Sequence, residues 1–208
     1  MKRTIAVLLL VLVFQYSYAQ TQDASKPAGN VPKEKQTSLG LYLTAKDAYE
    51  KWKADPKQVK IVDVRTPEEY VFVGHPAMAW NVPVKLQVYQ WDASGRKLPM
   101  KSNPDFVARA KELFKPSDTL LVMCRSGGRS AQAVDLLAGA GFKQVYNIIE
   151  GMEGDLVDDP QSVFHGKRMK NGWKNSGLPW TYDLDPEKMS LPTTQKETPS
   201  TGSVESNS

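Results

Sequence analysis

Residues 119–139 read TLLVMCRSGGRSAQAVDLLAG, and this stretch decides the architecture. Thr119 to Cys124 is an apolar run of strand length without polar alternation, the pattern of a strand covered on both faces. From about Arg129 to Gly139 the apolar residues Ala131, Val134, Leu137 and Ala138 fall at helical spacing. Between the two, Gly127 and Gly128 permit a sharp change of chain direction. A strand that turns straight into a helix leaves Cys124 at the carboxyl end of that strand.

The neighbouring segments repeat the pattern. Val59 to Val64 is rich in β-formers and ends at Asp63 and Arg65. Thr66-Pro67-Glu68-Glu69 follows, with a capping hydroxyl, a proline at the first helical position and a carboxylate at the third, which predicts a helix start. Thr44 with Asp47 opens an earlier helix carrying Ala45, Ala48, Tyr49 and Trp52, and Ala79 to Val84 reads as a short strand. Asn103-Pro104-Asp105 is expected to cap a helix whose apolar face is Phe106, Val107, Ala110, Leu113 and Phe114, and Gln144 to Ile149 reads as a further strand. Strands alternating with helices predict an α/β fold, a parallel sheet with helices on both faces. Ligands of such sheets sit beyond the carboxyl ends of the strands, where Cys124 falls.

The segment Cys124-Arg125-Ser126-Gly127-Gly128-Arg129-Ser130 concentrates the chemistry. Adjacent glycines let successive backbone N–H groups turn inward as an anion cradle, and the start of the following helix adds partial positive charge. A cysteine facing such a cradle is favoured as the thiolate, the nucleophilic form. Arg125 and Arg129 add fixed positive charge and paired donors suited to an oxyanion. An ordinary strand-to-helix turn also uses glycines, but it does not need a cysteine and two arginines within six residues.

The loop CRSGGRS resembles the active-site loop of rhodaneses, the thiosulfate and related sulfurtransferases. Upstream, IVDVRTPEEYVFVGHPAMAWNVP (61–83) is similar to that family's Asp-Val-Arg, Glu-Tyr, Gly-His and Asn-Val-Pro series. Downstream, AGAGFKQVYNIIEGM (138–152) matches the strand after the catalytic helix, so the resemblance covers roughly Leu41 to Gly154. It implies a rhodanese-like fold with a five-stranded parallel sheet, and sulfur transfer through a persulfide on Cys124. Arg125, Ser126, Gly127, Gly128, Arg129 and Ser130 then form the substrate-binding loop, and Asp63 and Arg65 form a supporting ion pair that fixes the site. The chain departs from the family at Ala77-Met78-Ala79, where a Gly-Ala step is common. It departs again at Gly151-Met152-Glu153-Gly154, where many members carry Gly-Gly and a Trp; Trp173 is available for that packing role. The segment VYQWDASGRKLPM (88–100) is long enough for a hairpin overhanging the pocket.

The ends read differently. Lys2 and Arg3, the apolar run Ile5 to Phe14, and the small residues Ser17 and Ala19 form a signal peptide over residues 1–19, with cleavage near Ala19. That predicts a periplasmic or secreted protein. Residues 20–38 are polar, without periodicity, and read as a flexible linker; residues 185–208 read as a disordered tail. The rhodanese-like domain with a C-terminal extension then occupies 39–184. Without Lys2 and Arg3 the formal charge of +4 falls to about +2, and no basic run interleaved with aromatics suggests nucleic acid. Cys124 is the single cysteine, so an internal disulfide is excluded. His75, beside Gly74, reads as a loop tether, and His165 has no ligand-spaced partner, so neither a metal nor a cofactor is expected.

The predicted partners are a small sulfur-containing anion as donor and a thiol, cyanide or a protein as acceptor, without integral membrane contact. Two alternatives share the loop. One is an exported persulfide carrier without turnover. The other is a Cys-based phosphatase or arsenate reductase, whose loops place five residues between cysteine and arginine. Here four separate Cys124 from Arg129, a ring sized for one terminal sulfur rather than a tetrahedral oxyanion.

Overall fold

The computed structural model describes residues 31–190. The signal-peptide reading of 1–19, the first part of the linker and residues 191–208 lie outside the described residues.

Five strands form one parallel sheet: β1 (Tyr42–Leu43), β2 (Val59–Asp63), β3 (Trp80–Asn81), β6 (Thr119–Met123) and β7 (Val145–Ile148). Their order is β1-β7-β6-β2-β3, with every pairing parallel. The chain leaves β2 toward one edge and β6 toward the other. The gap above β2 and β6 is therefore the point where the winding reverses, the usual ligand crevice of an open α/β sheet.

Alternation along the strands sorts residues to two faces. Val62, Leu120, Val122 and Val145 pack under α3 (Phe106–Leu113) and α4 (Gly128–Gly139), with Phe106, Ala110, Val134 and Leu137 closing that core. Ile61, Leu121, Met123, Tyr146 and Ile148 pack on the other face against α1 (Ala45–Ala54) and α2 (Pro67–Val73). Both α1 and α2 begin with complete capping boxes, Thr44 with Asp47 and Thr66 with Glu69, as the sequence predicts. Asp105 caps α3 without a side-chain bond; Asn103 Oδ1 instead accepts from the Asp105 N–H.

Trp173, fully buried, joins the second core, edge-on to Tyr49 at 5.8 Å, and its indole N–H donates to the Pro179 carbonyl. The C-terminal extension is thus part of the fold. It also adds a short antiparallel bridge, His75 with Thr181. His75 is buried against the Tyr70 ring, with Nδ1 3.0 Å from the Tyr70 carbonyl, and burial holds its imidazole below the ordinary value. That is the loop-tether role.

Two readings of the ends need correction. Residues 31–38 are not a free linker. Val31 and Lys35 are buried, a 3₁₀ turn spans Lys33–Lys35, and Ser38 bonds Asp135 on α4 through both its N–H and its hydroxyl. Local composition misleads here because the arm's apolar and charged anchors are single residues whose partners lie far along the chain. Similarly, the start of the expected tail is docked: the Asn81 N–H donates to the Lys188 carbonyl and Met189 packs on the second core.

Candidate active site

Cys124 is the first residue beyond β6, and its sulfur lies on the α4 side of the sheet at 2% exposure. The Gly127 N–H donates to the sulfur at 3.2 Å, and the Ser130 hydroxyl lies 3.4 Å from it. The N–H groups of Ser126, Gly128, Arg129 and Ser130 have no acceptor among the described residues. Those of Gly128, Arg129 and Ser130 are the open donors that a helix start leaves over.

The loop is held from outside. The carbonyl of Cys124 accepts from the Met152 N–H at 2.8 Å, and that of Arg125 accepts from Glu153 and Gly154 at 2.9 and 3.2 Å. These bonds tie the carbonyl side of the loop to the segment after β7. Gly127 has φ +98°, and a Cβ there would lie 2.3 Å from the Ile149 carbonyl oxygen, so no other residue fits. Gly128 is different. It is the first residue of α4, and a Cβ on it would meet nothing nearer than the Glu34 carbonyl at 3.7 Å. The paired glycines are therefore not equivalent, and only the first makes the turn.

The two arginines also separate. Arg125 is exposed, and its guanidinium bonds no described residue. Arg129 does not reach outward. Its Nη1 and Nη2 clasp the Glu69 carboxylate at 2.6 Å each, and Nη1 also lies 3.6 Å from the Met100 sulfur. Burial opposes ionisation of Glu69, but the hydrogen bonds and charge of Arg129 outweigh it and hold the carboxyl below its ordinary range. Burial likewise opposes the charge on Arg129, and Glu69 outweighs it and raises that group. In this structure Arg129 joins the loop to the start of α2, which leaves Arg125 as the loop arginine without a partner among the described residues.

Asp63 and Arg65 form the supporting pair read from the sequence. Both are fully buried, Arg65 Nη2 lies 2.6 Å from Asp63 Oδ2, and the same nitrogen donates to the Gly74 carbonyl at 2.8 Å. Asn81 Nδ2 donates to the carbonyls of both residues, which ties β3 to the pair. The expected hairpin is present, β4 (Lys85–Gln87) against β5 (Met100–Ser102). Tyr89 beyond β4 donates to Glu68 at 2.5 Å, so the hairpin borders the Arg129 edge of the site.

Sequence reasoning missed Asn147, Glu69 and Lys35. Asn147 lies on β7, and its Oδ1 accepts from the Ser130 hydroxyl at 2.7 Å. Its Nδ2 donates to the carbonyls of Lys35 at 2.8 Å and Gly127 at 3.1 Å. An asparagine in the middle of the otherwise apolar run VYNII was the available signal. Among the described residues no group of acidic, histidine or cysteine side chains is placed to hold a metal, and no helix is long and apolar enough to cross a membrane.

A parallel sheet with a thiol beneath a helix-start cradle at the winding reversal defines a cysteine-loop α/β domain. The profile of the Rhodanese-like domain family matches residues 44–156, and the chain belongs to that sulfurtransferase family. Thiosulfate sulfurtransferase 16, chloroplastic, of Arabidopsis thaliana is 42% identical over 92 residues, 44% of this chain and 69% of that protein. An uncharacterized protein of Rickettsia prowazekii is 32% identical over 122 residues, 59% of this chain and 82% of the other. Among solved structures, that of Rv0390 from M. tuberculosis superposes with a TM-score of 0.54 at 28% identity, covering 68% of this chain and 96% of that one.

Proposed function

We propose that the protein is a thiosulfate sulfurtransferase-type enzyme working through a persulfide on Cys124. The observation that carries this reading is the sulfur of Cys124 bonded to the Gly127 N–H, with four further N–H groups open on the same loop. The Cys124 thiolate attacks the outer sulfur of thiosulfate, the S–S bond breaks, and sulfite leaves with the bonding pair. The outer sulfur, now bonded to Cys124, carries negative charge into the cradle, where preorganised amides stabilise it. A thiol or cyanide then attacks that sulfur, forms the new S–S or C–S bond, and regenerates the thiolate. Arg125, exposed and unpaired among the described residues, is placed to meet the departing oxyanion. No cofactor enters these steps.

Two observations favour sulfur over phosphorus. Arg129, the arginine nearest the position that a phosphatase loop uses, is clasped by Glu69 and so is not free for the equatorial oxygens of a phosphoryl group. The ring from Cys124 to Arg129 is also one residue shorter than in Cys-based phosphatases. The N-terminal residues 1–19 further suggest an exported enzyme, periplasmic or secreted, whose acceptor is a small thiol or a protein.

Mass spectrometry of the purified protein after thiosulfate, then after cyanide, tests the reading. Cys124 should gain one sulfur atom and lose it again, with thiocyanate accumulating over many turnovers. In Cys124→Ser both should vanish while the fold persists. Persulfide without turnover would make the protein a carrier, and Cys124-dependent hydrolysis of aryl phosphates would reverse the choice of substrate class.

A further inference from the structure

Residues 31–38 precede the span that matches the family profile, which begins at Thr44. They nevertheless lie against the cradle. The Lys35 carbonyl accepts from Asn147 Nδ2 at 2.8 Å, and this bond, with the one to the Gly127 carbonyl, fixes which way the carboxamide faces. With both amide hydrogens committed to carbonyls, Oδ1 is left toward Ser130, whose hydroxyl donates to it at 2.7 Å and lies 3.4 Å from the Cys124 sulfur. The Lys35 side chain crosses Gly127 so closely that a Cβ there would sit 2.9 Å from Lys35 Cδ. Its ammonium ends on Asp155, in the segment after β7, at 2.7 Å, with the lysine side chain only 9% exposed. A nearly buried lysine is held in place only when its charge is paired, so the anchor is specific.

We propose that this N-terminal arm is a positioning element of the catalytic site. Lys35 and Asn147 act as positioning residues that set the Ser130 hydroxyl and the Gly127 turn against Cys124. The arm touches neither donor nor acceptor. It ties the loop, through Lys35 and Asp155, to the segment after β7 whose Met152, Glu153 and Gly154 amides hold the loop carbonyls. This inference rests on the persulfide reading for its kinetic consequence and on geometry alone for its structural one.

The test compares full-length wild type with Lys35→Ala, Lys35→Arg and Asp155→Asn. Thiosulfate-to-cyanide kinetics should show kcat reduced about tenfold in Lys35→Ala, as a slightly misplaced loop predicts, with KM for thiosulfate little changed because Arg125 is untouched. Asp155→Asn should fall between, and Lys35→Arg, able to reach Asp155, should recover most of the loss. Hydrogen exchange of the amides bonded to the loop, those of Gly127, Ala131, Met152 and Glu153, should quicken in Lys35→Ala and Asp155→Asn while the strand amides of 119–123 stay protected. A merely structural arm would lower the melting temperature and leave kcat per folded molecule and loop exchange as in wild type, and that result overturns the proposal. If wild type itself lacks turnover, the sulfurtransferase reading fails, and loop exchange alone then decides whether the arm positions the loop.

Discussion

The loops that leave β2 and β6 start side by side, with Asp63 paired to Met123 at the last register of the two strands, yet they are built to opposite ends. After β2 the chain closes on itself: Arg65 turns back to Asp63, both side chains are fully buried, and the guanidinium also takes the Gly74 carbonyl. After β6 the chain stays open: the carbonyls of Cys124 and Arg125 are tied off by residues 152–154, the Gly127 N–H meets the thiol, and four loop amides have no acceptor among the described residues. The first loop uses charge to hold shape, and the second keeps its shape so that unpaired dipoles are available to a reacting sulfur. Adjacent strand ends in one crevice thus divide stability and chemistry between them, and each can be perturbed without the other.

The largest effect on stability should come from the closed loop. Arg65→Met leaves the Asp63 carboxylate buried and unpaired, which costs about 3 to 5 kcal/mol of folding stability. The double variant Asp63→Asn/Arg65→Met should recover part of that loss, since no lone charge remains. Urea unfolding of the three proteins decides the matter. Equal loss in single and double variants would mean that shape rather than charge holds this loop.

The open loop should respond in rate instead, and its two arginines should part company. Arg125→Ala should cost about 1 to 3 kcal/mol of transition-state stabilisation in kcat/KM for thiosulfate, the range for a lost charge-assisted hydrogen bond, with the melting temperature unchanged. Arg129→Ala should lower the melting temperature, and Glu69→Gln should reproduce it, because the two residues share one bidentate contact. If Arg125→Ala is silent and Arg129→Ala abolishes donor binding without destabilising, the assignment is inverted.

A smaller, pH-dependent effect sharpens the same distinction. The folded state holds the Glu69 carboxyl below its ordinary range, so at a given acid pH the unfolded chain binds the proton more readily. The ion pair's contribution is therefore present in full above the unfolded value, about 4.3, and is lost as pH falls through the lower folded value. The stability gap between wild type and Glu69→Gln should be constant from pH 7 to 5 and shrink below about 4. A gap that widens in acid would mean that Glu69 is held protonated.

Much of this was legible in the sequence, and what was not follows a physical pattern. Cys124 at a strand end, the capping boxes at Thr44 and Thr66, and the Asp63–Arg65 pair all lie within a few residues of their partners, where spacing carries the information. Arg129 with Glu69, and Asn147 with Lys35, join residues 60 and 112 positions apart, and no local pattern encodes such a meeting. The arm failed as a linker reading for the same reason. Polar composition predicts disorder when no apolar face exists, but here one carbonyl, one ammonium and buried Val31 suffice because the domain supplies the other half.

The smallest predicted effect is that of Gly128, which looks interchangeable with Gly127 in the sequence. Gly127 sits at φ +98° with the Ile149 carbonyl where a Cβ would go, so Gly127→Ala meets both backbone strain and a clash with backbone. Gly128 has ordinary helical geometry, begins α4, and has space for a methyl group 3.7 Å from the Glu34 carbonyl. Replacing a glycine whose backbone already suits alanine restricts the unfolded chain and stabilises by about 0.4 to 1 kcal/mol. Gly128→Ala should therefore raise the unfolding free energy slightly, whereas Gly127→Ala should lower it by several times that amount. Urea unfolding of both variants measures the difference, and a destabilised Gly128→Ala would show that the second glycine, too, is needed for the turn.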